Sequence, residues 1–145
     1  MLRSPRRALP LLVAATLGVT LTPGSASAAL DPSPGARGSG DPILPLRGNG
    51  GYDVAHYDID LTWRPATRRI AATARIRATA GQDLSAFNLD LEKLTVRSIS
   101  VDDVPARWSR DGFELTVEPA DPIPAGTEFE TVVSYAGQPK AYRHR

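Results

Sequence analysis

From Tyr52 to Tyr135 apolar and polar side chains alternate along the chain, broken by short turn clusters. A period of two is the signature of strands with one face against a core. In the first such segment Tyr57, Ile59, Leu61 and Trp63 share one face, and His56, Asp58, Asp60 and Thr62 share the other. Pro65-Ala66-Thr67 supplies a turn. Ile70, Ala72, Ala74, Ile76 and Ala78 then alternate with Ala71, Thr73, Arg75, Arg77 and Thr79, and the small alanines let a second layer approach closely. Phe87, Leu89 and Leu91 alternate with Asn88 and Asp90 in a third strand. In the fourth, Leu94 and Val96 fit one register and Ile99 and Val101 the other. A one-residue shift flips every side chain, so a bulge is expected near Arg97-Ser98.

Asp102-Asp103 predicts a hairpin turn into Val104, Ala106 and Trp108. Asp111-Gly112 is a stronger turn signal, leading into Phe113, Leu115 and Val117. A proline-rich connection over 119–126 precedes a last strand with Phe129, Thr131, Val133 and Tyr135 on one face. Seven short strands without a convincing helix predict an all-β fold, an antiparallel β-sandwich or saddle-like sheet. The alternation further predicts that Tyr57, Ile59, Leu61, Phe87, Leu89, Leu115 and Tyr135 are buried and that His56, Asp58 and Asp60 face water.

The chain before the strands has a different character. Arg3, Arg6 and Arg7 precede an apolar stretch from Ala8 to Leu21, interrupted by Pro10, and Ala26-Ser27-Ala28 follows. A basic start, a short apolar run and a small-x-small site read as a signal peptide over 1–28, with cleavage after Ala28. The run is too short and too broken to span a bilayer as a mature helix. Arg6-Arg7 also fits a twin-arginine export signal, so the export route stays open. Residues 29–47 read as a disordered linker, rich in Pro, Gly and Ser and without periodicity. The folded part is expected over 48–139, with a tail over 140–145.

Of the 17 Lys and Arg, three lie in the leader, leaving 14 against 16 Asp and Glu, a net charge of −2. Nothing in that balance forms the clustered basic surface that nucleic acid requires. With no Cys in the chain, an exported protein has no disulfide framework and depends on packing alone. The expected location is extracellular, with no membrane contact after cleavage.

Candidate chemistry is sparse. The two histidines are His56 and His144, and a catalytic zinc site commonly takes three protein ligands. His56 and Asp58 point the same way from one strand face, as do Asp58 and Asp60, yet solvated strand faces carry such pairs routinely. His144 lies in the terminal Tyr142-Arg143-His144-Arg145. There is no Gly-x-Ser-x-Gly and no Cys nucleophile. Gly48-Asn49-Gly50-Gly51 precedes a strand rather than a helix, which suits an entry turn and not a phosphate loop. The residues therefore name no catalytic, cofactor-binding or metal-binding site.

The stretch Gly51-Tyr52-Asp53-Val54-Ala55-His56-Tyr57-Asp58-Ile59-Asp60-Leu61 resembles the opening strand of the aminopeptidase-N-like zinc metallopeptidases, peptidase family M1, of the secreted actinobacterial type. Asp83-Leu84-Ser85-Ala86-Phe87-Asn88-Leu89-Asp90-Leu91, Val101-Asp102, Arg110-Asp111-Gly112-Phe113-Glu114-Leu115 and Tyr135-Ala136-Gly137-Gln138-Pro139 continue the resemblance in the family's order. It implies the first part of the family's N-terminal β-domain, an incomplete one. In that family the domain packs against a thermolysin-like catalytic domain carrying zinc, H-E-x-x-H and G-x-M-E-N. None of those motifs occurs here. The resemblance thus implies a non-catalytic piece of a secreted zinc metalloaminopeptidase, partnered by the missing catalytic domain if the gene continues. No enzyme activity and no cofactor are expected of this chain itself, and a truncated reading frame is expected to leave an exposed apolar edge. The alternative reading is a free-standing secreted β-sandwich that binds a protein or a glycan.

Overall fold

The computed structural model describes residues 29–38, 40, 42–43 and 48–139. The expected leader over 1–28 and tail over 140–145 lie outside the described residues.

Among the described residues nine strands form two sheets, with one 3₁₀ turn at Pro65–Thr67. They are β1 (Ser33–Pro34), β2 (Tyr52–Arg64), β3 (Arg69–Ala80), β4 (Leu84–Asp90), β5 (Thr95–Val101), β6 (Val104–Pro105), β7 (Arg107–Asp111), β8 (Glu114–Glu118) and β9 (Glu128–Gly137). The larger sheet has the order β2-β3-β9-β5-β6 and the smaller β1-β4-β8-β7. Every pairing is antiparallel except β1 with β4. The fold is the expected all-β sandwich, open at its edges.

Local chemistry sets the turns where the sequence placed them. Asp102 and Asp103 both have positive φ, 47° and 64°, the backbone that a two-residue hairpin between right-twisted strands requires. Gly112 takes φ +64° between β7 and β8. The change of phase in β5 is a register shift between Val96 and Ser98 against β9. A second shift, between Val54 and His56 at Ala55, was not visible in the alternation. Gly51 combines φ +95° with Gly35 Cα and Leu84 Cδ2 each 3.0 Å from where a Cβ would stand, so neither the backbone nor the space there suits a larger residue.

The core lies between the smaller sheet and one end of the larger. Leu84, Phe87, Leu89, Leu115 and Val117 meet Ile76, Ala78, Phe129, Val133, Ile99 and Val101. The rings of Phe87 and Phe129 stand 5.3 Å apart, and Tyr52 packs edge-on to Phe87 at 5.6 Å. Such pairs contribute beyond their buried area. Phe87, Leu89 and Leu115 are buried as the alternation predicts, and Tyr135 is half-buried against the core.

Two differences from the sequence-based expectation matter. Part of the segment read as a structureless linker is built into the fold. Ser33 and Pro34 pair with β4, the Ser33 amide donates to the Asp83 carbonyl, and Gly35 donates to Ala86. Asn88 is also buried rather than turned to water. Its amide nitrogen donates to the Gly35 carbonyl at 3.1 Å, and its side-chain oxygen accepts from the Thr116 hydroxyl at 2.7 Å. Burial of an amide is tolerable only with such partners, and the partner at Gly35 is itself supplied by the supposed linker.

Candidate functional surface

Among the described residues the larger sheet ends on β2, which pairs along its length with β3 alone. Its inner row, Tyr57, Ile59, Leu61 and Trp63, lies opposite Ile76, Ala74, Ala72 and Ile70 of β3. That places the row on the core-facing side of the sheet. The smaller sheet, however, covers only the far end of this side, and the four side chains are 53%, 52%, 51% and 46% exposed. The expected burial of Tyr57, Ile59 and Leu61 is therefore corrected. Their face was read properly, but no layer of the described residues lies over it. Alternation reports which side chains share a face, not how far the opposite sheet extends.

A row of four large apolar residues in water is unusual for a finished surface, since isolated exposed apolar side chains are common but contiguous ones mark contacts. Among the described residues the strand that carries the row also has a free edge. Tyr52–Arg64 contains no Pro and no Lys, two of the residues that commonly protect an exposed edge from further pairing.

His56, Asp58 and Asp60 face water on the other side of β2, as expected. They lie opposite Arg77, Arg75 and Thr73. The Arg75 guanidinium is engaged by Glu130 at 3.5 Å rather than by Asp58, and neither Asp58 nor Asp60 is in an ion pair among the described residues. His56 borders a shallow concavity of about 510 Å³ with Arg77, Asp102, Glu128 and Glu130. Nothing there pairs a nucleophile with a base. A second depression of about 300 Å³ is rimmed by Arg64, Arg69 and Arg97 over Ala71 and Ala136.

No three or more His, Cys, Asp or Glu side chains are grouped to hold a metal among the described residues. His144 lies outside them. The Gly48–Gly51 run is the entry to β2, with Gly50 donating to the Ala36 carbonyl and Gly81 to that of Gly51. No helix among the described residues is long and apolar enough to cross a membrane.

Two carboxylates have shifted acidity, and both are structural. Asp83 accepts from the Ala125 amide at 2.8 Å and from the Asp31 amide at 3.0 Å. Those two bonds hold its pKa below the ordinary carboxylate range. Glu114 is moved the other way, first by burial and then by Asp90 directly across the β4–β8 ladder. Its Oε2 has no hydrogen-bond partner among the described residues. Alternation could not have found Glu114, because it lies out of phase with its buried neighbours Leu115 and Val117.

Neither a family model nor a curated protein matches the sequence. Solved structures do match the fold. An M1 zinc metallopeptidase from Deinococcus radiodurans is 29% identical with a TM-score of 0.65, over 71% of this chain and 24% of that one. A two-domain M1 zinc metallopeptidase solved with L-arginine is 28% identical, with a TM-score of 0.66 over 74% and 25%. Leukotriene A4 hydrolase from Saccharomyces cerevisiae, 17% identical with a TM-score of 0.50 over 59% and 15%, shares the fold. The chain thus spans about a quarter of the length of the metallopeptidases it matches. The zinc in those proteins' names has no fitting ligand set among the described residues here, where His56 and Asp58 stand without a third ligand.

Proposed function

We propose that this chain, which carries the N-terminal β-domain fold of the M1 zinc metallopeptidases, acts as the non-catalytic β-domain of a secreted zinc metalloaminopeptidase and supports a catalytic domain that it does not itself contain. The observation that carries the proposal is the uncovered inner row of β2. Tyr57, Ile59, Leu61 and Trp63 extend the core-facing side of the larger sheet into water. Covering each of them would contribute on the order of 1 kcal/mol, half the value of burying a fully exposed large side chain. Similarity to metallopeptidases about four times as long as the matched segment supports the reading that further polypeptide of that kind would cover the row.

The test supplies the covering part. The catalytic portion of the Deinococcus radiodurans M1 zinc metallopeptidase, made without the segment this chain matches, is mixed with the purified chain. Co-elution on size exclusion, with hydrolysis of an aminoacyl fluorogenic substrate above that of the catalytic portion alone, is expected. Separate elution, with this chain a sharply melting monomer, would overturn the proposal and favour a free-standing binding module. Export is tested separately. Mass spectrometry of the exported product is expected to show a chain beginning at Ala29, and an intact Met1 in it would contradict secretion by signal cleavage.

A further inference from the structure

The free edge of β2 and the two rows beside it together describe a ligand. A strand added there would hydrogen-bond along the edge, lay alternate side chains beside Tyr57, Ile59, Leu61 and Trp63, and lay the others beside His56, Asp58 and Asp60. The first row selects apolar side chains. The second selects cations, because the Asp58 and Asp60 carboxylates are unpaired among the described residues and Arg75, the nearest cation across the ladder, is engaged by Glu130.

A second copy of the chain does not have that chemistry. Two β2 strands joined about a twofold axis bring all four residues of their apolar rows together only in the register centred on residue 60. That register sets Asp60 against Asp60. Like charges directly opposite are destabilising in a sheet, so the acidic row guards the edge against self-pairing while leaving it open to a strand of opposite charge.

We infer that the β2 edge is a strand-acceptor site for an extended segment in which apolar residues alternate with Lys or Arg. The segment is supplied by the part of an M1 polypeptide that this chain does not span. In that respect the inference rests on the function proposed above.

The purified full chain is the test object, with Trp108→Phe so that Trp63 is the sole tryptophan of the folded part. The probes are a short peptide alternating Val with Lys, its counterpart alternating Val with Glu, and a scrambled Val/Lys peptide. The Lys peptide is expected to blue-shift Trp63 fluorescence, to slow exchange of alternate β2 amides, and to bind about tenfold tighter than the Glu peptide, the sum of two cross-strand charge pairs gained and two repulsions avoided. Asp58→Lys with Asp60→Lys is expected to invert the preference. Equal binding of Lys and Glu peptides, equal binding of the scrambled peptide, or exchange protection away from β2 would each overturn the inference. So would a concentration-dependent dimer of the chain that Ile59→Pro abolishes. Co-elution with a catalytic portion together with failure of the Lys peptide would leave the proposed function standing and remove this inference alone.

Discussion

The Tyr52 hydroxyl donates to the main-chain carbonyl of Asn88 at 2.6 Å, and so ties the first strand of the larger sheet to the smaller sheet. The same ring packs edge-on against Phe87 and Phe129. One side chain thus closes the core at the end where the two layers meet, and burial pushes the pKa of its phenol far up, keeping the donor proton in place.

Removing only that hydroxyl isolates the bond. Tyr52→Phe is expected to cost about 0.5–1.5 kcal/mol, the net value of one intramolecular hydrogen bond. Phe87→Ala, which empties the centre of the aromatic cluster at a position 1% exposed, is expected to cost about 3–5 kcal/mol. Urea unfolding of the two variants checks both values. Equal costs would mean that the cluster does not pack as described.

The acid response has two parts of opposite sign. Asp83 is more acidic when folded than unfolded. Its contribution is present above the unfolded pKa and is lost as pH falls through the lower folded one, below the ordinary Asp value of about 3.9. Glu114 is less acidic when folded. Its stabilising protonated form prevails below the unfolded pKa, about 4.3 for an ordinary Glu, and the contribution is lost as pH rises through the folded value. Asp83→Asn is therefore expected to lower stability at neutral pH and flatten the acid limb. Glu114→Gln is expected to raise stability at neutral pH relative to the parent chain. Urea midpoints from neutral pH into the acid range measure both.

Ile59 and Phe87 are both inner-face positions of the alternation, and the structure gives them different energetics. Ile59 is half in water, so Ile59→Thr, which keeps the β-branch, is expected to change stability by no more than about 0.5 kcal/mol. The same variant is expected to weaken any association through the β2 row. Thermal melting and sedimentation of the purified variant test the two halves, and a loss comparable to that of Phe87→Ala would place a covering layer over β2.

The isolated chain is expected to show no hydrolysis of aminoacyl fluorogenic substrates, with or without added zinc. His56, Asp58 and Asp60 stand on an open strand face, and no third ligand joins them among the described residues. Zinc-dependent turnover by the pure chain, abolished by His56→Ala, would assign that face a catalytic role.

Legible in the sequence were the long strands from β2 on, the turns at 102–103 and 111–112, and which side chains of a long strand share a face. A pleated chain alternates by stereochemistry alone, and Asp102-Asp103 and Asp111-Gly112 carry the local backbone preference of a tight turn. The bulge at Arg97 was legible for the same reason, because it breaks the phase between Val96 and Ile99. Motifs such as Gly51-Tyr52-Asp53 also pointed to the metallopeptidase fold before any coordinates did. The packing of the two sheets decided which inner-face residues are buried. Phe87 and Ile59 occupy equivalent places in the pattern, but burial depends on what the opposite layer reaches, and the smaller sheet meets β2 at Tyr52 and not at Ile59. The tertiary structure likewise decided that Asn88 is interior and that Ser33 and Pro34 form a strand. Both depend on bonds between residues some fifty positions apart, which no local pattern encodes.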